Sequence, residues 1–241
     1  MSFVIAIICV TIACVVLRNL VRAVPWVFYI LSVALVVAYF ALPFVSLPRA
    51  ANEILLFSIG RCHLPIAMFA VVMYIGIFPE SSAIRRWMQP VRGPLSIIAC
   101  ILTAGHMINY AVLFLPRMLT PSMVTANVYA SLVISLVLLV LVLVLGVTSF
   151  EFVKKNMNAA TWKRIQKFAY LFYALAYAHL LLLLLPAAMN GGSNALENCI
   201  AYTVVFGVYG VLRAVQGVRE KAAEKAMEPG DDKLDGGLAG V

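Results

Sequence analysis

Residues 124–148 read VTANVYASLVISLVLLVLVLVLGVT, a run with no Asp, Glu, Lys or Arg. A hydrocarbon core about 30 Å thick needs roughly 20 apolar residues in a helix, and this run exceeds that. It is continuously apolar and does not alternate, so it is not a strand of a closed membrane barrel. Further apolar stretches lie at 2–17, 25–44, 62–78, 92–115, 165–186 and 197–213. Of the 241 residues, 64% are hydrophobic and 12% charged, about half the charge of a soluble domain. The expected fold is all-α: a polytopic membrane helical bundle of six to seven transmembrane helices embedded in a lipid bilayer. Residues 1–16 are apolar without a basic leader, so they read as a retained first helix and not as a signal peptide.

Basic residues set the orientation. Of the 18 Lys and Arg, all but Arg49, Arg61 and Arg117 fall on one side of a seven-span chain. The N-terminus is expected outside and the C-terminus in the cytoplasm of a cell (inner) membrane. The net charge of +8 is then a property of topology and does not point to nucleic acid. The five cysteines form no C-x-x-C pair, so zinc, iron–sulfur and thioredoxin-like sites are not signalled. Cys62-His63 lacks the first cysteine of a covalent haem attachment site.

Three histidines carry the chemistry. Ionisable residues at membrane depth are costly and usually functional. His106 lies 14 residues beyond Arg92, and His179 lies 14 beyond Ile165, on helices expected to run in the same direction. At 1.5 Å per residue each sits roughly 21 Å from the inner boundary. Two imidazoles at matching depth suit the axial ligands of one low-spin haem b, one from each side of the ring. Gly105 and Gly93 are expected to thin their helix for a flat macrocycle. Arg61 and Arg117, on the outer side, are candidates to pair with haem propionates. His63 begins its span beside Arg61. It reads as a wetted interfacial histidine, with assistance to proton or electron exit as the sharper reading.

Thr148-Ser149, then Trp162-Lys163-Arg164-Ile165-Gln166-Lys167, Tyr170 and His179 resemble the haem-binding segment of the ferric-reductase-like transmembrane superfamily. The nearest look-alikes are the membrane haem subunits that serve periplasmic methionine-sulfoxide reductases. Gly60-Arg61, Arg92-Gly93, His106 and Tyr110 extend the resemblance, which covers about residues 60–186. It implies a core at 59–190, preceded by membrane helices in 1–58 and followed by one in 191–215. A cytoplasmic tail over 216–241 is expected to be disordered. The resemblance further implies that His106 and His179 hold an outer haem, and that electrons pass from cytoplasmic reduced flavin or membrane quinol to an extracytoplasmic redox protein. The chain departs from the pattern where the family carries another histidine: here stands Gln166, so a second, inner haem is not supported. An inner FMN or quinone is the alternative occupant. Arg92, Lys163, Arg164 and Lys167 would meet a flavin phosphate, with Trp162 or Tyr170 stacked on its ring. The plainer reading is that these residues anchor the inner interface. The residues after 213 are too few for a flavin/NAD domain, so NAD(P)H oxidation is expected of a partner such as a flavin reductase.

Two other functions stay open on the sequence. A quinol dehydrogenase membrane subunit would need a quinone pocket, for which Asn109, Tyr110 and Tyr177 are candidates. A cofactor-free transporter or assembly factor often shows interrupted helices and paired intramembrane charges; no Asp, Glu, Lys or Arg stands well inside an expected span, and no internal repeat is clear.

Overall fold

The computed structural model describes residues 2–118 and 125–227. Their order is α1 (Ser2–Val16), α2 (Arg18–Ala23), α3 (Pro25–Ala41), α4 (Arg49–Leu55), a π turn (Leu56–Gly60), α5 (His63–Ile75), α6 (Ala83–Met118), α7 (Ala126–Ser149), α8 (Glu151–Asn156), α9 (Ala159–Gln166), α10 (Phe168–Met189) and α11 (Ser193–Met227). No strand occurs among the described residues. Local chemistry sets several boundaries. Pro25 opens α3, where its missing N–H costs nothing. Asn158 caps α9, its Oδ1 accepting from Ala160 N at 2.9 Å. Gly191, at φ 83°, turns the chain from α10 toward α11.

Each apolar run expected to span coincides with a helix, but the helices differ in reach. Four helical stretches are long and apolar enough to cross a membrane, and a fifth counts if α4 with its π turn and α5 form one span bent by 49°. At 1.5 Å per residue α1 and α3 reach only about 22 and 26 Å, short of the roughly 30 Å core. The bend has a backbone cause. Arg61 N bonds Leu56 O at 2.7 Å, five residues back, and Cys62 sits in the left-handed region at φ 55°.

Helices α5, α6, α7, α10 and α11 close into a ring of neighbours, with α1 against α5 and α11, and α3 outside α6. Phe3, Ala6, Val10 and Cys14 form the buried stripe of α1, spaced as a helix face requires. Large apolar side chains lie exposed around the bundle, including Val112, Val140 and Val211. Apolar surface on this scale suits lipid and not water.

The tail departs from expectation. Disorder was expected from residue 216, yet α11 continues to Met227. The run is rich in Ala, Glu, Lys and Arg, all good helix formers. Glu220 also ties back to Gln216 at 2.8 Å and to Arg213 at 3.6 Å. The rest of the tail, 228–241, lies outside the described residues.

Candidate functional site

His106 on α6 and His179 on α10 are brought within electrostatic range of each other, although α6 and α10 both pack on α7 between them. The Nδ1 of His106 lies 2.8 Å from the carbonyl oxygen of Ile59. The Nδ1 of His179 lies 3.1 Å from the carbonyl oxygen of Ser131 and 2.8 Å from its hydroxyl. A carbonyl can only accept, so both Nδ1 atoms carry the proton. In the neutral rings the lone pair then sits on Nε2. This is the arrangement of metal-binding histidines, whose second nitrogen donates to a carbonyl that fixes tautomer and ring rotation. Both side chains are part-buried. No cluster of three or more His, Cys, Asp or Glu that suits a metal ion occurs among the described residues. Two neutral imidazoles fit a macrocycle that brings its own four equatorial donors better than a bare ion.

The π turn explains how Ile59 serves His106. It breaks the regular helix ladder at the bend, and the Ile59 carbonyl then faces α6 while also accepting from Cys62 N at 3.2 Å. Sequence reading missed Ile59 and Ser131. The only available signal was a serine inside an uncharged span, which Ser135 shares.

Gly105 does not face a macrocycle. A Cβ there would lie 2.8 Å from both γ carbons of Val36, so this glycine lets α3 approach α6. At Gly93 a Cβ would meet nothing within 4 Å, and Gly93 borders open space.

At the far end of the bundle from the basic loops, His63 is buried and not wetted. Its Nδ1 lies 2.9 Å from the Tyr202 hydroxyl, and Phe57 covers its ring. The aromatic cover and the phenol partner replace the interfacial water expected from sequence. Arg61 is exposed in the bend, near enough to His63 to affect it electrostatically. Arg117 is exposed at the end of α6, over the Phe114 ring. Asn109 bonds Tyr39, Tyr110 stacks beside His106 and Tyr177 bonds Thr203. The partners of these three thus differ.

The basic end holds a cavity of about 1010 Å³. Arg92, Trp162, Lys163 and Gln166, singled out in the sequence as one site, all line it, as do Lys167 and Tyr170. Arg164 is exposed and does not. Arg22, from α2, and Lys154, from α8, join the lining. Arg92 lies inside α6, which begins nine residues earlier than the hydropathy suggested, and no carboxylate pairs with it among the described residues. The one acid at the lip, Glu151, is engaged by Lys155 at 2.9 Å, a hydrogen-bonded contact that holds its carboxyl below the ordinary range. Pro90 and Pro94 border the cavity too; Pro94 has no N–H to offer the Pro90 carbonyl, which opens the helix ladder there. The Tyr173 hydroxyl, buried in the wall, has no hydrogen-bond partner among the described residues. Gln166 donates to Thr148 Oγ1 at 3.0 Å and Trp162 Nε1 to Thr148 O at 2.9 Å. The Thr148-Ser149 corner is thereby pinned to α9.

The fold defines a class: a helical protein with four or five helices able to cross a membrane. It is similar to an uncharacterized protein of Treponema pallidum (strain Nichols), 33% identical over 177 residues, 73% of this chain and 49% of that one. The chain thus spans about half the length of that relative. No family model and no solved structure matches.

Proposed function

We propose that this chain is a multi-pass membrane cytochrome, which holds one haem b between His106 and His179 and carries electrons from a donor at its basic end to an acceptor at the opposite face. The observation that carries this reading is how the two imidazoles are held: each Nδ1–H is spent on a carbonyl, which leaves the lone pair of a neutral ring on Nε2. A haem held there would supply reversible one-electron iron chemistry. The chain's own part is to fix both rings, exclude competing ligands and keep the site in apolar surroundings. Arg61 and Arg117 are assigned to the propionates or to the acceptor.

The basic end is taken as cytoplasmic, in an inner membrane crossed six to seven times, with the N-terminus outside. The resemblance to ferric-reductase-like proteins agrees with this assignment. For the inner cavity we favour a flavin mononucleotide over a quinone. The excess of Arg and Lys over its single, already engaged acid suits a phosphate, Trp162 and Tyr170 suit a flat ring, and the Tyr173 hydroxyl awaits a polar edge.

The test is a reduced-minus-oxidised visible spectrum of detergent-purified protein with haem and flavin quantified per chain. A low-spin b-type spectrum at about one haem per chain, lost in His106→Ala and in His179→Ala, is expected. A colourless protein from haem-supplied cells would sink the reading and leave the transporter or assembly-factor class. Arg92→Gln is expected to lose the flavin and keep the haem.

A further inference from the structure

The two histidines are held differently, and the difference resides in one side chain. His106 Nδ1 has a backbone carbonyl, Ile59 O at 2.8 Å. His179 Nδ1 has two acceptors on one residue, Ser131 Oγ at 2.8 Å and Ser131 O at 3.1 Å. Ser131 is 1% exposed, on the helix that lies between the two histidine-bearing helices. Hydroxyls on helices ordinarily bond back to a carbonyl one turn earlier. Ser32, Ser96, Ser149, Thr11 and Thr203 all do so here, four residues back. Ser131 instead turns its oxygen to His179.

We propose that Ser131 is a positioning residue for His179, which fixes its rotation and tautomer and makes it a more electron-donating axial ligand than it would be without the hydroxyl. The inference rests on the haem reading above. A stronger acceptor at Nδ1 raises the basicity of Nε2, and a more basic ligand favours ferric over ferrous iron. Ile59 offers His106 only its backbone, so of these two contacts only the one from α7 can be altered by replacing a side chain.

The experiment compares wild type, Ser131→Ala, Ser131→Cys and Ser135→Ala by redox titration, with haem per chain and the low-spin spectrum recorded on each. Ser135 lies one turn along the same helix and bonds Leu132 O at 2.7 Å, not a histidine. Ser131→Ala is expected to hold haem about tenfold less tightly and to lose about tenfold of its ferric preference, an upward shift of about 59 mV for one electron. Ser131→Cys, whose sulfur is a weak acceptor, is expected between alanine and wild type, and Ser135→Ala at the wild-type value. If Ser131→Ala binds no haem, Ser131→Cys decides: a raised potential supports the proposal and a wild-type potential overturns it. A wild-type potential in Ser131→Ala with full haem overturns it outright, while the haem reading stands. A haem-free wild type removes the reading beneath it.

Discussion

Gly105 shows how one residue next to a candidate ligand acts on packing. Its missing Cβ leaves room for Val36, whose γ carbons would lie 2.8 Å from an added methyl. Gly105→Ala therefore forces α3 off α6, at a cost of about 1–3 kcal/mol. The apparent Tm of the detergent-solubilised protein is expected to fall, with partial recovery in Gly105→Ala/Val36→Ala. Strictly additive losses would show that the two residues do not press on each other. The candidate ligands were legible in the sequence because an imidazole deep in an apolar run is costly enough to stand out. Ile59, Ser131 and Tyr202 were not, because a carbonyl, a lone serine and a buried tyrosine gain their meaning only from the partner that tertiary packing places opposite. The same limit led Gly105 to be assigned to a macrocycle: a missing side chain has no partner in the sequence.

At the scale of elements, the break between α4 and α5 is the feature that hydropathy could not register. Hydropathy places residues 45–61 in a loop ahead of the span at 62–78, and neither the five-residue bond from Arg61 N to Leu56 O nor the left-handed Cys62 leaves a compositional trace. A π turn amounts to one extra residue in a helix. Deleting Ser58 should return the segment to a regular ladder and rotate everything before it by about 100° relative to α5. The Ile59 carbonyl would then leave His106. The expected outcome is a loss of haem per chain larger than that of Ser58→Ala, which keeps the turn. Equal haem content in the two variants would show that the turn does not serve the ligand. Elements at the basic end were legible in a different way. The sequence grouped Arg92, Trp162, Lys163 and Gln166, which line one cavity, because charge and aromatic content at a membrane boundary are visible in composition. It added Arg164, which the turn of α9 carries outward, and it omitted Arg22 on α2 and Lys154 on α8.

For the whole molecule the open quantity is how many times the chain crosses. By length alone α1, at about 22 Å, falls short of the hydrocarbon core. Its contacts argue otherwise. Phe3 stacks on Tyr202 with ring centroids 4.0 Å apart, and its amide faces Asn198 at 3.5 Å, so the start of α1 lies beside the first turns of α11 and beside His63. Just beyond its other end, Arg18 bonds Trp87 O at 2.7 Å and covers the Trp87 ring, among the basic loops. These contacts tie the two ends of α1 to different parts of the bundle. We propose that α1 crosses; a helix this short would then be accommodated by local thinning of the bilayer at a fraction of a kcal/mol per Å. An epitope at the N-terminus should therefore be accessible in sealed, right-side-out vesicles, and one at the C-terminus only after permeabilisation. An N-terminal epitope protected until permeabilisation would mean that α1 lies in the bundle without emerging. The count would then drop by one, and the orientation drawn from the basic residues would have to rest on the later loops alone.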